Sequence, residues 1–374
     1  MLKYLKYYLS TLLLLLTIYV CALGSHAPTV FFIGFSLFII LGDIFLGKDV
    51  TIKKYSYPFL INLPIYINLF LLIILVTMVV YIFGNQSSIW FVDIFQSYLF
   101  IDLLHIKHSI TLLDKFAFIF LTTFLIGIIG TVPGHEFTHR KRDKLDMFIG
   151  NWLLAFSWDC AFAVEHVYGH HKNVCLPSDP ATARRGQNLY TFIIPAIIAE
   201  QRDAWKIEFD HLQRRGYNPY GIHNKMIIGY LRSIFISLSA YLIGGSLGML
   251  SYLLCAFLAK SLLEVINYTE HYGLVREPNQ PVCNRHSWNS NNIVSSILLY
   301  NVTRHSAHHE KSNLKFWELD AYPDSPMMPQ GYLSMLYMAI FLPFIYRKLM
   351  AKKLMDWDEN YATPEERKIV MNQN

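Results

Sequence analysis

Charge is what this chain is short of: 16% of its 374 residues are Asp, Glu, Lys or Arg, where a soluble domain averages about a quarter. Hydrophobic residues make up 53% and aromatics 15%, and mean hydropathy is +0.31. That balance excludes an ordinary soluble domain and points to an integral membrane protein. The net charge of +5 is dispersed near the ends of apolar segments. Without a basic stripe interleaved with aromatics, it reads as a topology signal, with no nucleic-acid partner.

Cysteine is sparse too. Cys21, Cys160, Cys175, Cys255 and Cys283 are scattered and never form a Cys-x-x-Cys pair, so they read as free thiols or small apolar residues. This excludes a cysteine-ligated iron–sulfur or rubredoxin-type module within the chain, so any electrons must come from another protein. Internal repeats and low-complexity segments are also missing. The N-terminal run, with Lys3 and Lys6 ahead of an apolar core, resembles a signal peptide, but further spans follow at once and a retained first helix is expected.

Apolar runs of roughly 20 residues, enough to cross about 30 Å of hydrocarbon, occur near 7–23, 29–47, 58–83, 113–133, 227–243 and 246–263. The fold class expected is therefore all-α, with about six transmembrane helices. Gly244 and Gly245 mark the turn between the last two. Segment 87–104 is apolar but interrupted by Asp93, Gln96 and Asp102, which suits a re-entrant or interfacial helix better than a seventh span. The organisation expected is spans one to four over 1–133, a cytoplasmic region at 134–226, spans five and six over 227–263, and a second cytoplasmic region at 264–374. Lys3, Lys6, Lys48, Lys53, Lys54 and the basic cluster at 140–144 place the N-terminus and those regions on the cytoplasmic side.

Against this apolar background stand fifteen histidines, nine of them in motifs. His135 and His139 lie in GHEFTHR; His166, His170 and His171 in EHVYGHH; His271 in NYTEHYGL; His305, His308 and His309 in TRHSAHH. Spacings of three and four place imidazoles on one helix face, suited to ligands of one ion. Nine exceed what one ordinary site uses, so two metals are expected. His26, His105, His108, His211, His223 and His286 lack such company and read as ordinary polar residues, with His286 the least certain because it lies between two motifs.

Imidazole without thiolate leaves iron, copper, zinc and nickel open. HEFTH is also a literal His-Glu-x-x-His, the zinc motif of a metallopeptidase, but that reading leaves seven organised histidines unused. A metal transporter or haem protein would place ligands within the spans, whereas these gather at span ends. A metal pair facing apolar molecules dissolved in the bilayer suits oxygen-dependent attack on an unactivated C–H bond, which favours iron. Glu136, Glu165, Glu270 and Glu310 stand beside the ligands, where each accepts an outer ring N–H, forms a salt bridge to a base such as Arg140 or Arg304, or, as the less favoured alternative, ligates a metal directly. Asp179 and Arg184, in SDPATARRG, are open between a structural role and support of the ligands from outside.

Together HEFTHR, EHVYGHHKNVCLPSDPATARRGQNLY, LLEVINYTEHYGL, RHSWNSN and RHSAHH with YPDSPMMPQGY resemble the integral-membrane alkane 1-monooxygenases. These belong to the histidine-box group that includes membrane fatty acid desaturases and xylene monooxygenase. The resemblance runs from about His135 to Tyr332. The three boxes are shared across the group, while NYTEHYGL is a much more specific mark of resemblance to the alkane enzymes. Arg140 and Ala307 depart from the family's usual lysine and aspartate, and neither departure removes a ligand.

The resemblance implies that His135, His139, His166, His170, His171, His271, His305, His308 and His309 hold a non-haem diiron centre in a cytoplasmic cap. The enzyme would hydroxylate the terminal methyl of medium-chain alkanes with O2 and two electrons, from rubredoxin and its reductase. A ferredoxin-type reductase with an aromatic methyl substrate is the xylene-monooxygenase alternative, and an acyl-chain desaturase or hydroxylase is a second.

Overall fold

The structure is a computed structural model that describes residues 2–86 and 89–372, so residues 87 and 88 of the expected re-entrant segment lie outside the described residues. Among the described residues there is no β-strand, only two isolated bridges. The membrane part comprises α1 (Lys3–Ala22), α2 (Ala27–Phe45), α3 (Pro58–Phe83) and, after a bent pair, α6 (Leu112–Thr138). Helices α3 and α6 are apolar on every side and sit innermost, with Leu72, Leu75, Met78, Val79, Phe118 and Ile129 fully buried. Helices α1 and α2 lie outside them and expose leucines such as Leu12, Leu16, Leu37 and Leu41.

Residues 225–271 form the last two spans, α9 (225–244) and α10 (246–271), interrupted at Gly245 by left-handed backbone with φ of 68°. Ser233 and Tyr252, nineteen residues apart, both donate to the Ala155 carbonyl, at 3.1 and 3.3 Å. In an unbroken helix they would be about 28 Å apart, so the chain folds back as a hairpin at the expected glycine pair. A Cβ on Gly244 would stand 2.3 Å from the Val80 carbonyl oxygen, so close approach to α3 also requires glycine there.

In place of a seventh straight span, α4 (Ile89–Leu99) and α5 (Leu103–Ser109) meet at a bend of 106°. Eleven and seven residues give about 16 and 10 Å of helix, too short to cross. The pair caps the bundle end formed by the α1–α2 turn and the end of α3: Lys107 donates to the Tyr81 and Gly84 carbonyls at 3.2 and 2.7 Å, and Ser25 N–H to Ser109 Oγ at 3.1 Å.

The opposite end carries the histidine motifs. Here α6 runs past the expected limit of 133 to Thr138, so the first box belongs to the span itself. A π-helical stretch at Ile126–Thr131 widens the helix just before Pro133, relieving the clash that a proline ring makes with the preceding turn. Arg304, beside the third box, donates to the carbonyls of Leu319, Asp49 and Thr51 at 2.7, 2.8 and 3.2 Å. This ties the basic α2–α3 loop to the histidine end. The cap is completed by α7 (Lys144–Ala155), α8 (Leu189–Arg214), α11 (His305–Glu310), α12 (Tyr332–Phe341), α13 (Pro343–Asn360) and α14 (Pro364–Met371).

Candidate metal centre

All nine motif histidines converge, in two adjoining groups. His135, His139, His166, His171 and His308 form one; His170, His271, His305 and His309 the other. The rings of His171 and His309, one from each group, have centroids 4.5 Å apart. Nε2 atoms point at one another: His135 to His139 at 2.9 Å and to His308 at 3.1 Å, His171 to His166 and to His308 at 3.1 Å, His305 to His309 at 2.9 Å and to His271 at 3.1 Å. Two nitrogens each about 2.1 Å from a shared ion and at right angles to it lie about 3 Å apart. The fit to metal binding is reinforced by His170: its Nδ1 is taken by Asp179, and its buried Nε2 has no hydrogen-bond partner.

Spacing in the second box works differently from its reading in sequence. His166 and His170, four apart, were expected to share an ion; instead His166–His170 is a π-helical turn. The wider turn brings His171, five residues on, against His166 and sends His170 into the other group. The third box splits as well. His305 and His309 stay together four apart on α11, while His308 joins the first group.

Burial, reinforced by neighbouring imidazoles, holds His139, His166, His171, His305 and His309 well below the ordinary histidine pKa, and His308 down to about 3. The rings are therefore neutral near pH 7 and keep lone pairs for a metal. Phe162 stacks on His166 at 4.3 Å and stands edge-on to His135 at 5.3 Å, covering one side of the first group.

The acids divide into distinct roles. Asp179 accepts from His170 Nδ1 through both oxygens, at 3.0 and 3.1 Å, and from Thr182 Oγ1 at 2.5 Å. Burial alone would raise its carboxyl, but His170 and Thr182 together hold it below the usual range. Glu136 takes the salt-bridge alternative, to Arg140 at 2.9 Å. Glu165 carries a buried oxygen without a partner, and burial with nearby Glu200 pushes its carboxyl well up. Glu310 is exposed. Glu270 takes neither the salt-bridge nor the outer-acceptor alternative: its Oε2 lies 3.1 Å from His305 Nε2, on the inner side of the ring, and its Oε1 is buried without a partner.

Two groups escaped the sequence reading, and a third, His286, was left open there. Lys260 is buried among Asp159, Glu200 and Glu264, at 3.1, 2.7 and 2.7 Å. The signal was a lone lysine four residues before a glutamate in an apolar span. His286 is fully buried and offers its backbone carbonyl to His271 Nδ1 at 3.0 Å. Glu366, in the last helix, accepts from the His286 ring at 2.8 Å; its only signal was the capping-box spacing from Thr363. The remaining solitary histidines stay outside the two groups.

Comparison with known proteins agrees with this arrangement. The fatty acid desaturase family model matches residues 112–339, more than half of the chain. Alkane 1-monooxygenase 1 of Pseudomonas aeruginosa is 37% identical over 62% of this chain and 61% of its own length. Alkane 1-monooxygenase 2 of Alcanivorax borkumensis is 36% identical over 64% and 63%. The chain thus spans somewhat over 60% of the length of these relatives. The xylene/toluene monooxygenase hydroxylase component of Pseudomonas putida is 33% identical over 89% of this chain and 84% of its own length, a match long enough to take in α3 and α6. With nine converging imidazoles at the end of an all-helical membrane bundle, the chain belongs to the fatty acid desaturase family of histidine-box membrane proteins, in the branch that holds the alkane and xylene monooxygenases.

Proposed function

We propose that the nine histidines hold two iron ions, one in each group, and that the protein hydroxylates the terminal methyl group of medium-chain alkanes to primary alcohols. The balance is RH + O2 + two electrons + two protons giving ROH + H2O, and dioxygen activation is the chemistry that bound iron supplies. The observation that carries this reading is the five-plus-four division of the imidazoles, with Nε2 separations near 3 Å and an orphaned His170 Nε2. Glu270 adds a carboxylate oxygen to the four-histidine group.

The chain's own part is to hold and orient. Asp179 and the His286 carbonyl accept from the outer nitrogens of His170 and His271, which fixes tautomers and turns both Nε2 atoms inward. Phe162 covers His135 and His166 with an apolar ring. Apolar clefts of 690 Å³ between α1, α2 and the 293–298 segment, and of 400 Å³ between α3, α7 and α9, support entry of a hydrocarbon from the bilayer. A 970 Å³ cleft beside His139, bordered by Arg140, Lys141, Arg142 and Lys315, suits an electron donor approaching from water. The scattered cysteines leave the chain without an electron carrier of its own, so rubredoxin with its reductase is the proposed donor. The bases that share the cap's end of the bundle support a cytoplasmic cap.

A second reading is favoured by one observation. The xylene/toluene relative aligns over 89% of the chain, including spans where a substrate would lie, so an aromatic methyl group with a ferredoxin-type reductase is the alternative. Iron-loaded protein assayed with each donor system, NADH, O2 and either octane or toluene decides between them: 1-octanol supports the first reading and benzyl alcohol the second. Undiminished product from His271→Ala would remove the metal assignment. One zinc and no iron would favour a peptidase.

A further inference from the structure

The C-terminal helix reaches the metal centre through a single carboxylate. Glu366 stands in the first turn of α14, in a capping box with Thr363: Thr363 N–H donates to Oε2 at 2.9 Å, and Glu366 N–H donates to Thr363 Oγ1 at 3.1 Å. A capping glutamate is ordinarily a surface residue, yet this one is fully buried. Its Oε1 accepts from His286 Nε2 at 2.8 Å, and its Oε2 accepts from Arg285 Nε at 3.0 Å. On the other side, Trp357 Nε1 of α13 donates to the Arg285 carbonyl at 2.7 Å.

The His286 ring is held at both nitrogens. Its Nδ1 accepts from Cys283 N–H at 3.0 Å, so the proton on Nε2 is the one given to Glu366. With the ring fixed, the backbone of residue 286 is fixed too. Its carbonyl accepts from His271 Nδ1 at 3.0 Å and from the Cys175 thiol at 3.1 Å. That contact selects the His271 tautomer with a bare Nε2, which faces His305 Nε2 at 3.1 Å.

We propose that Glu366 is a positioning residue of the metal centre: by anchoring Arg285 and His286 it holds the carbonyl that orients His271, so the C-terminal helix governs how tightly the four-histidine group keeps its metal. The inference rests on the two-metal reading above. It makes the five-histidine group independent of the tail, because the hydrogen-bond chain from Glu366 ends on His271.

The test uses full-length, iron-loaded protein in detergent and measures iron per chain and the rate of iron transfer to a ferrous chelator. Wild type releases two ions in separable phases, and His271→Ala identifies the phase of the four-histidine group. Glu366→Gln accelerates that phase by about tenfold or more, the scale on which outer partners of metal ligands act, and leaves the other phase unchanged. His286→Ala does the same while keeping the Arg285–Glu366 ion pair that docks the tail, so it decides the matter if Glu366→Gln fails to fold. Thr363→Ala, which weakens the cap of α14 but leaves the carboxylate on His286, releases iron at the wild-type rates. Wild-type rates in both Glu366→Gln and His286→Ala overturn the inference, as does equal acceleration of both phases, the mark of a general brace. Wild-type protein that binds no iron overturns the two-metal reading and this inference with it.

Discussion

His166 and His171, five residues apart, bring their Nε2 atoms to 3.1 Å because the chain between them is a π-helical turn. An ordinary α-helix would instead face His166 toward His170. A Cβ on Gly169 would stand 2.4 Å from Glu165 Oε1 and 3.3 Å from Ile207 Cδ1, so either the buried Glu165 carboxyl or the turn must move to admit it. Gly169→Ala is expected to shift the turn and lose at least half of the bound metal, measured as iron per chain after purification. Full iron content in that variant would show that the turn is not what sets the two groups.

Asp179→Asn tests the outer partner of His170. Asparagine keeps the volume but gives up an anionic acceptor that takes both contacts at 3.0 and 3.1 Å. Metal affinity is expected to fall roughly 10- to 100-fold, read from competition with a chelator of known affinity. Unchanged affinity would reduce Asp179 to a loop anchor through Thr182.

Lys260 is the one cation among three buried carboxylates. Burial pushes Asp159 up to about 6 and Glu200 up to about 8, the latter with help from Glu264. Lys260→Met leaves three acids without a counter-charge and is expected to destabilise the protein by roughly 3–5 kcal/mol, as breaking a buried pair does. The thermal midpoint in detergent measures it. Combining Lys260→Met with Glu200→Gln and Glu264→Gln is expected to recover much of the loss.

Glu366 gives the tail a pH dependence. Burial by itself would raise its carboxyl, but hydrogen bonds from His286, Arg285 and Thr363 hold it down at about 2, against 4.5 for an ordinary glutamate. A depressed folded-state value contributes stability that is complete above pH 4.5 and is lost as pH falls from 4.5 toward 2. The stability difference between wild type and Glu366→Gln, measured on metal-free protein, is expected to be full near about pH 6 and to shrink below pH 4.5. A difference that stays constant across this range would mean the carboxylate gains nothing from its partners.

Much of the fold was legible because apolar length is a local property. The six spans, the Gly244–Gly245 turn and the polar interruptions of 87–104 could all be read from runs of residues. The end of α6 could not, because Pro133 signals a stop unless a widened π-turn upstream makes room for it, and that widening has no sequence mark. Likewise the nine histidines could be named from their motifs, but their partition could not, since regular spacing assumes a regular helix.

What the sequence by itself determined is the inventory: an apolar bundle, nine imidazoles in motifs near span ends and no cysteine cluster to carry electrons. Hydrophobicity and ligand type belong to each residue wherever it sits. Only the tertiary structure decided which histidine joins which group, that Glu270 faces inward while Glu136 faces Arg140, and that a C-terminal glutamate ends on the histidine of NYTEHYGL. Those outcomes depend on where Nε2 and Nδ1 point after 166, 271 and 366 are brought together across the cap. Ring orientation is set by hydrogen bonds between residues up to 80 apart in the sequence, which no local pattern records.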